Sequence, residues 1–387
     1  MKLSRRTRWA VPGGAVVVTA AVVAALQIPA AQASPDLPAR TPAQLLASLS
    51  TDAKVPPLTG TVVETASLGL PQLPQVGGQS TSITSLLAGS HTVKVYYQDA
   101  SHFRLAVPQP QAETDVIADG TRLWLWESSA DSVTEYLPGS AAIGQATRKL
   151  PATAPLTPQQ AANQVMQAVG PTTLVSVQAN VMVAGEPAYQ LVLRPKDSRS
   201  LVGRIVIAVD GKYRVPLRVQ LFARGASSPA FQVGFTDLHF TAPSAANFAF
   251  TPPSGASVTK ETLGGQAARP GTAHGSTGST GIGTYGKSWL TVMSFPQSDL
   301  NQGFGTGAAG SSSSSQNAYS AGSQGVGVSS QELLNALLGS AKPVSGSWGS
   351  GTLVTTSLVS MLITGGKVYI GAVQPSVLYA AVGHTTS

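Results

Sequence analysis

The sequence predicts an α+β, mainly β fold: a curved antiparallel sheet with a helical lid over an apolar cavity. Three observations predict it. From Gly60 to Phe240 apolar and polar residues alternate in runs of strand length, the mark of strands with one buried face. Asp-Gly pairs at 119–120 and 210–211 stand between such runs, where a tight hairpin turn fits. Only two short segments, one just before this region and one within it, carry helical spacing, and both need an apolar surface to lie on.

The first helical segment follows Thr41 as cap and Pro42 as first helical residue, with Leu45, Leu46 and Leu49 recurring up to about Ala53. Pro56 and Pro57 stop it. Val93, Val95 and Tyr97 then alternate with Thr92, Lys94 and Tyr96, and Phe103, Leu105 and Val107 with His102, Arg104 and Ala106, so these two runs read as neighbouring strands. Further strands are expected at Ser132 to Leu137, Leu174 to Val183, Ala188 to Arg194 and Ala230 to Phe240. Pro216 suggests an edge or a bulge. Short connections favour an antiparallel meander. The meander is interrupted once, by Thr157, Pro158 and QQAANQVMQAV, whose Ala161, Val165, Met166 and Val169 lie on or near one helical face.

The ends of the chain differ from this middle. Lys2, Arg5, Arg6 and Arg8 precede an uncharged stretch from Trp9 to Ser34 with a dense apolar run at Ala15 to Leu26. That is the layout of an export signal, with Ala31 and Ala33 marking cleavage after Ala33. The rival reading, an uncleaved anchor, needs roughly 20 apolar residues, and this run is shorter. An extracytoplasmic location is therefore expected. The chain has no Cys, so neither a lipidated cysteine nor a disulfide is possible, and stability must come from a core.

The domain reading is a leader at 1–33, a main β domain at 34–255, a Gly/Ser-rich linker at 256–330 with one strand-like island at 287–295, and a C-terminal αββ segment at 331–387. The linker composition buries too little apolar surface to offset chain entropy. In the last segment QELLNALLGS reads as a helix, GTLVTTSLVSMLIT and KVYIGAV as strands turning at Gly365-Gly366, and Pro375 to Val382 as a short helix. It is too small for a fully independent core, so it should extend the main sheet or form a small appended domain.

Chemistry-bearing motifs are sparse. GIGTYG at Gly281 to Gly286 has the spacing of a phosphate loop but lies in a glycine-rich stretch, with no strand before it or helix after it. No G-x-S-x-G elbow occurs. His91, His102, His239, His274 and His384 show no metal-binding spacing, so no metal and no cofactor are expected. Glu127, Asp131 and Glu135 cluster around one turn, and Glu113 with Asp115 precede a strand. Acids on hairpin loops are ordinarily solvated turn residues rather than acid–base pairs. Of the formal charge of +7, four positive residues belong to the leader, and the rest are scattered. No nucleic-acid footprint results.

The physical lead is apolar. Tyr97, Phe103, Leu105, Leu191, Leu193, Phe222, Phe231 and Phe235 are candidates for an inner face that two short helices, contributing Val165 and Met166, cover incompletely. Trp124 and Trp126 project together from one strand face, as core or as further lining of an apolar ligand site. A non-catalytic protein with such a hollow would hold a lipid or an acyl chain.

In order, an early helix, TGTVVETASLGLP, SLLAGSHTVKVYYQD, ETDVIADGTRLWLWE and AYQLVLRPKDSRSLVGRIVIAVDGKYRVPLRVQLFARG resemble the lipoprotein-carrier superfamily over Pro42 to Pro253. Its members include periplasmic carriers of outer-membrane lipoproteins and sensors that regulate an envelope-stress anti-sigma factor. The resemblance implies an unclosed β-barrel with a helical lid, a lipid or lipoprotein acyl chain as ligand, and a carrier or chaperone role. The sensor relatives imply instead a lipid-binding regulator with a membrane-protein partner. Arg104, Arg122 and Arg194 are all strand-borne candidates for the carriers' functional arginine. The chain beyond Gly255 is extra relative to a simple carrier.

Overall fold

The computed structural model describes residues 35–50, 55–67, 88–138, 157–168, 170–263, 283–302, 339 and 341–383. The expected leader, the helix at QELLNALLGS apart from Gly339, most of the linker, and His274 and His384 lie outside them. Two T-P-x-Q sequences start the first two helices. In α1 (Pro42–Ser50), Thr41 Oγ1 accepts from the Gln44 backbone N–H at 3.2 Å, and Gln44 Oε1 accepts from the Thr41 N–H at 2.9 Å. In α2 (Pro158–Ala168) Thr157 and Gln160 exchange the same two bonds, at 3.3 and 2.8 Å. Each pair is a capping box that satisfies two backbone donors left over by helix geometry, while Pro at the first position gives up no bond.

The strands before α2 are β1 (Leu58–Ser67), β2 (Ala88–Tyr97), β3 (His102–Gln109), β4 (Ala112–Asp119), β5 (Leu123–Glu127) and β6 (Ser132–Pro138). After it come β7 (Thr173–Val183), β8 (Glu186–Pro195), β9 (Val202–Asp210), β10 (Pro216–Ala223), β11 (Phe231–His239) and β12 (Ser257–Leu263). They form one twelve-stranded sheet in the order β12-β6-β5-β4-β3-β2-β1-β11-β10-β9-β8-β7, and this sheet does not close on itself. The first six strands meander outward from β1. The chain then crosses the sheet through α2 to the opposite edge, and β7 to β11 meander back until β11 pairs with β1. That central seam, from Thr59 opposite His239 to Ala66 opposite Phe231, joins the two halves.

Local chemistry sets the turns. At both Asp-Gly hairpins the aspartate takes backbone N–H groups two and three residues on: Thr121 and Arg122 for Asp119, Lys212 and Tyr213 for Asp210. Pro216 sits where the β9 and β10 register slips, the expected bulge. One expectation changes. The sheet is mixed, because β12 pairs parallel with β6, from Ser257 opposite Ser132 to Leu263 opposite Pro138. Residues 240–256 carry the chain from the central strand β11 to the far edge, so β12 enters from the same end as β6. Ser257 to Leu263, read from composition as the start of the linker, therefore belongs to the main sheet.

A second sheet gathers the island and the C-terminal segment. It contains β13 (Gly283–Tyr285), β14 (Val292–Pro296), β15 (Lys342–Gly346), β16 (Gly349–Thr355), β17 (Ser360–Thr364) and β18 (Lys367–Gly371), in the order β13-β14-β18-β17-β16-β15. GTLVTTSLVSMLIT, expected as one strand, folds back at Thr356 to Val359, where the Thr356 N–H donates to the Val359 carbonyl at 2.8 Å. Gly365 and Gly366 turn β17 into β18 at φ of 56° and 71°, angles that suit glycine in a two-residue hairpin loop. With α3 (Pro375–Gly383), β14, β17 and β18 bury Val292, Leu362, Tyr369 and Leu378.

This small sheet docks on the main one rather than extending it. Ser200 bridges Val373, the Leu201 N–H reaches the Ala372 carbonyl at 2.9 Å and the Gln374 N–H reaches the Arg199 carbonyl at 2.7 Å. Trp289 Nε1 donates to Thr173 Oγ1 at 2.8 Å, and Leu358, 4% exposed, joins the core of the main sheet. Leu191, at the centre of that core, is fully buried. Leu191→Ala is expected to lower unfolding free energy by about 2–5 kcal/mol, measured by urea denaturation, because a cavity replaces its contacts.

Candidate functional site

Strand alternation gives the main sheet two faces with different contents. On one lie Leu58 and Val62 of β1, Val93, Val95 and Tyr97 of β2, Phe103 and Leu105 of β3, Leu191 and Leu193 of β8, Ile205 and Ile207 of β9, Leu217 and Val219 of β10, and Phe231, Val233 and Phe235 of β11. This is the face on which α1 and α2 pack. Leu45 and Leu49 of α1 and Ala161 and Ala162 of α2 are buried in its core, with Val165 and Met166 half-buried beside them. Towards β4 and β5 the layer continues through Val116, Ala118, Leu123 and Leu125, bridged by Tyr97 and Leu105.

Nine of the predicted site residues thus share one apolar layer: Tyr97, Phe103, Leu105, Val165, Met166, Leu191, Leu193, Phe231 and Phe235. They do not share one degree of burial. Leu191 and Leu193 have no exposed surface, whereas Tyr97, Leu105, Val165, Met166 and Phe231 are only partly covered.

Trp124, Trp126 and Phe222 lie on the opposite face. Trp124 is buried with Ile117 and Val133 beneath Phe250 and Ala256, its ring centroid 5.6 Å from that of Phe250; Trp126 lies 6.3 Å from the same ring. Phe222 packs with Val192 and Val206 under the Arg204 guanidinium, 3.7 Å from its ring centre. The reason is parity: Trp124 pairs with Ile117 and Leu125 with Val116, so the tryptophans and the leucines of β5 must face apart. The segment between β11 and β12 shields the tryptophans.

The same outer face carries most of the acids, and two are not solvated turn residues. Asp115, 2% exposed, meets Arg104 at 2.5 Å, and Glu113 meets the same guanidinium at 3.1 Å. Glu135, 4% exposed, lies 3.5 Å from both Arg122 and Lys260. Being strand residues under a covering segment, they are buried and held by cations. Asp131 remains an exposed turn residue, and Glu127 is half-buried. Of the candidate arginines, Arg104 and Arg122 are committed to these pairs and Arg194 is exposed near the end of β8. None of the three belongs to the helix-covered apolar layer.

Asp99, Ser101 and His102 reproduce a triad's composition without its geometry. Ser101 Oγ at 3.3 Å and Asp99 at 3.2 Å both face Nδ1 of the imidazole, and Asp99 also takes the backbone N–H of Ser101 and His102. A relay needs acid and nucleophile on different ring nitrogens. The Ser101 hydroxyl, donating to Asp99 Oδ1 at 2.7 Å, and then the backbone and imidazole bonds hold Asp99 well below the usual carboxylate range, at about 2, and stabilise the turn into β3.

One polar group on the helix-covered face has no counterpart among the predicted residues. Glu64 of β1, 3% exposed, stands two residues from Val62, opposite Val233 of β11 and opposite His91 of β2. The signal was present in TGTVVETAS, where Glu64 shares the parity of Val62.

Against known proteins, no family model and no curated sequence matches. Solved structures do. MucB in its complex with MucA from Pseudomonas aeruginosa is 12% identical with a TM-score of 0.39, covering 88% of this chain and 96% of that one. A LolA superfamily protein from Nitrosomonas europaea is 11% identical with a TM-score of 0.22, covering 55% and 99%. A lipoprotein-sorting domain from Vibrio parahaemolyticus is 10% identical with a TM-score of 0.19, covering 51% and 90%.

Burial also makes a pH prediction. Desolvation of Asp115 outweighs the attraction of Arg104, and with Glu113 nearby it pushes the carboxyl up from 3.8 to about 6. The native state therefore takes up this proton at higher pH than the unfolded chain. Stability should rise as pH falls from about 7 to about 5, the reverse of the usual carboxylate contribution. Below about 4 it should fall, as Asp99 and Asp197, both held near 2, lose their hydrogen bonds. Asp115→Asn is expected to flatten the rise in urea midpoint between pH 7 and 5 and to leave the acid limb unchanged.

Proposed function

We propose that this chain is an exported lipid- or acyl-chain-binding protein that acts without catalysis as a carrier or chaperone of lipids or lipoproteins. One observation carries the reading: a single apolar layer runs across most strands of an open sheet, and its only helical cover among the described residues is two helices of nine and eleven residues. Tyr97, Leu105, Val165, Met166 and Phe231 are among the half-buried residues of that layer, and an acyl chain would complete their cover. This reading leaves out Trp124, Trp126 and Phe222, which lie on the opposite face.

A second reading, a regulatory sensor with a membrane-protein partner, is favoured by the docked six-stranded sheet, which a simple carrier does not need. The two separate by what accompanies the chain. Organic extraction of protein purified from its native envelope, followed by mass spectrometry, is expected to release an acylated species in about stoichiometric amount; lipid-free protein would sink the carrier reading. Val165→Asp would put a charge into the layer at a half-buried site. It is expected to reduce the extracted lipid several-fold while the far-ultraviolet circular dichroism is kept.

A further inference from the structure

The face of the main sheet turned away from α1 and α2 is neutralised on one half and not on the other. Over β3 to β6 and β12 the cations have their acids: Arg104 with Asp115 and Glu113, and Arg122 and Lys260 with Glu135. Over β7 to β10 a row of side chains crosses the strands in register. Leu174 of β7 pairs with Arg194 of β8, and Arg204 of β9 pairs with Phe222 of β10. Arg194 and Arg204 are the next step beyond the pair of Leu193 and Ile205, so two arginines stand beside each other on adjacent strands. Like charges opposed in this way destabilise a sheet, and among the described residues neither arginine forms an ion pair. Arg204 lies over the Phe222 ring, 3.7 Å from its centre, and gives one long hydrogen bond, from Nη1 to the Ala226 carbonyl at 3.4 Å. A guanidinium has five donors and is always charged, so donors remain for an anion. Arg194 is exposed and Leu174 beside it is 54% exposed, so this end of the row faces solvent. Lys196 and Arg199 in the adjoining loop, and Arg224 bonded to that loop through the Ser200 carbonyl at 2.8 Å, are exposed as well, against one acid, Asp197.

We propose that this end of the β7 to β10 face is a docking surface for an anionic membrane, with Arg194 and Arg204 on lipid phosphates and Leu174 entering among the first acyl carbons. Charge complementarity selects the occupant. A phosphate between the two guanidiniums removes their mutual repulsion and is held by charge-assisted hydrogen bonds. An exposed leucine next to arginines matches the boundary where headgroups meet hydrocarbon, whereas a soluble anion would leave Leu174 in water. A peptide strand added along the free edge of β7 would lie three strand spacings, about 14 Å, from Arg204. The apolar layer under α1 and α2 is on the other side of the sheet, so this docking is independent of whether that layer takes a lipid.

The test sediments the chain from Ser34 onward with vesicles of phosphatidylcholine alone and of phosphatidylcholine with one-third phosphatidylglycerol. Binding is expected to the second kind only, and is expected to weaken at least about tenfold between about 0.05 and about 0.5 M salt as the charges are screened. Arg194→Gln combined with Arg204→Gln should weaken it about 25-fold, about fivefold for each arginine at an anionic surface. Leu174→Ser should cost about threefold or more. Lys212→Gln removes the same charge about 26 Å away along β9 and should change binding less than about twofold. Arg194 is exposed, so Arg194→Gln alone, expected to cost about fivefold, decides if the double variant does not fold. Equal binding to both vesicles, a double variant within about twofold of the wild type, or as large a loss in Lys212→Gln overturns the proposal. So does a polyglutamate peptide that displaces the vesicles at equal charge concentration, which would make the occupant an acidic protein segment. Each of these outcomes leaves the lipid-binding reading standing.

Discussion

Burial of one apolar face of an open sheet is the constraint on which the rest of this structure depends. Twelve strands present a face lined from Phe103 to Leu193, and no disulfide exists to stabilise the chain otherwise. The fold meets the constraint by sending the chain across the sheet at mid-length. The crossing segment supplies α2, the N-terminal segment supplies α1, and each is started by the same Thr-Pro-x-Gln capping box. Because the crossing leads to the far edge, the second meander must return towards the first, and the β1 and β11 seam follows from that path.

The opposite face is solved differently, with charge and a covering segment. Residues 240–256 lay Phe248 and Phe250 over His102, Trp124 and Trp126. Around them the buried carboxylates Asp115 and Glu135 are matched by Arg104, Arg122 and Lys260. Burial without a partner would have been far costlier than these pairs. Over β3 to β6 this face accordingly has the character of a closed, ion-paired surface, while the helix-covered face is held mainly by the hydrophobic effect, with the Tyr189 hydroxyl donating to the Pro38 carbonyl at 2.8 Å. Glu64, 3% exposed and opposite Val233, is a buried carboxylate on the apolar side.

Much of this was legible in the residues. Alternation located the strands and the apolar residues of the helix-covered layer, because a period of two assigns side chains to faces without further information. The Asp-Gly turns, the bulge at Pro216 and the two capped helices were fixed by local backbone chemistry. Parity even separates Trp124 and Trp126 from Leu123 and Leu125. It does not say which face of one strand continues which face of the next when the pairing is unknown, so the tryptophans and Phe222 could be grouped with Tyr97 and Phe103 until the register was seen.

The sequence by itself thus determined most elements of the main sheet, its Asp-Gly turns and the need for an apolar layer, since all three depend on neighbours a few residues apart. Only the tertiary structure decided the β1 and β11 seam, the parallel entry of β12, the burial of Asp115 and Glu135, and the docking of the small sheet at Arg199 to Leu201. Each of these joins residues far apart in the chain: Ser132 with Ser257, Ser200 with Val373, Thr173 with Trp289. Such contacts depend on the path of the whole chain, and loop-closure entropy rises so slowly with length that local composition does not select one path over another.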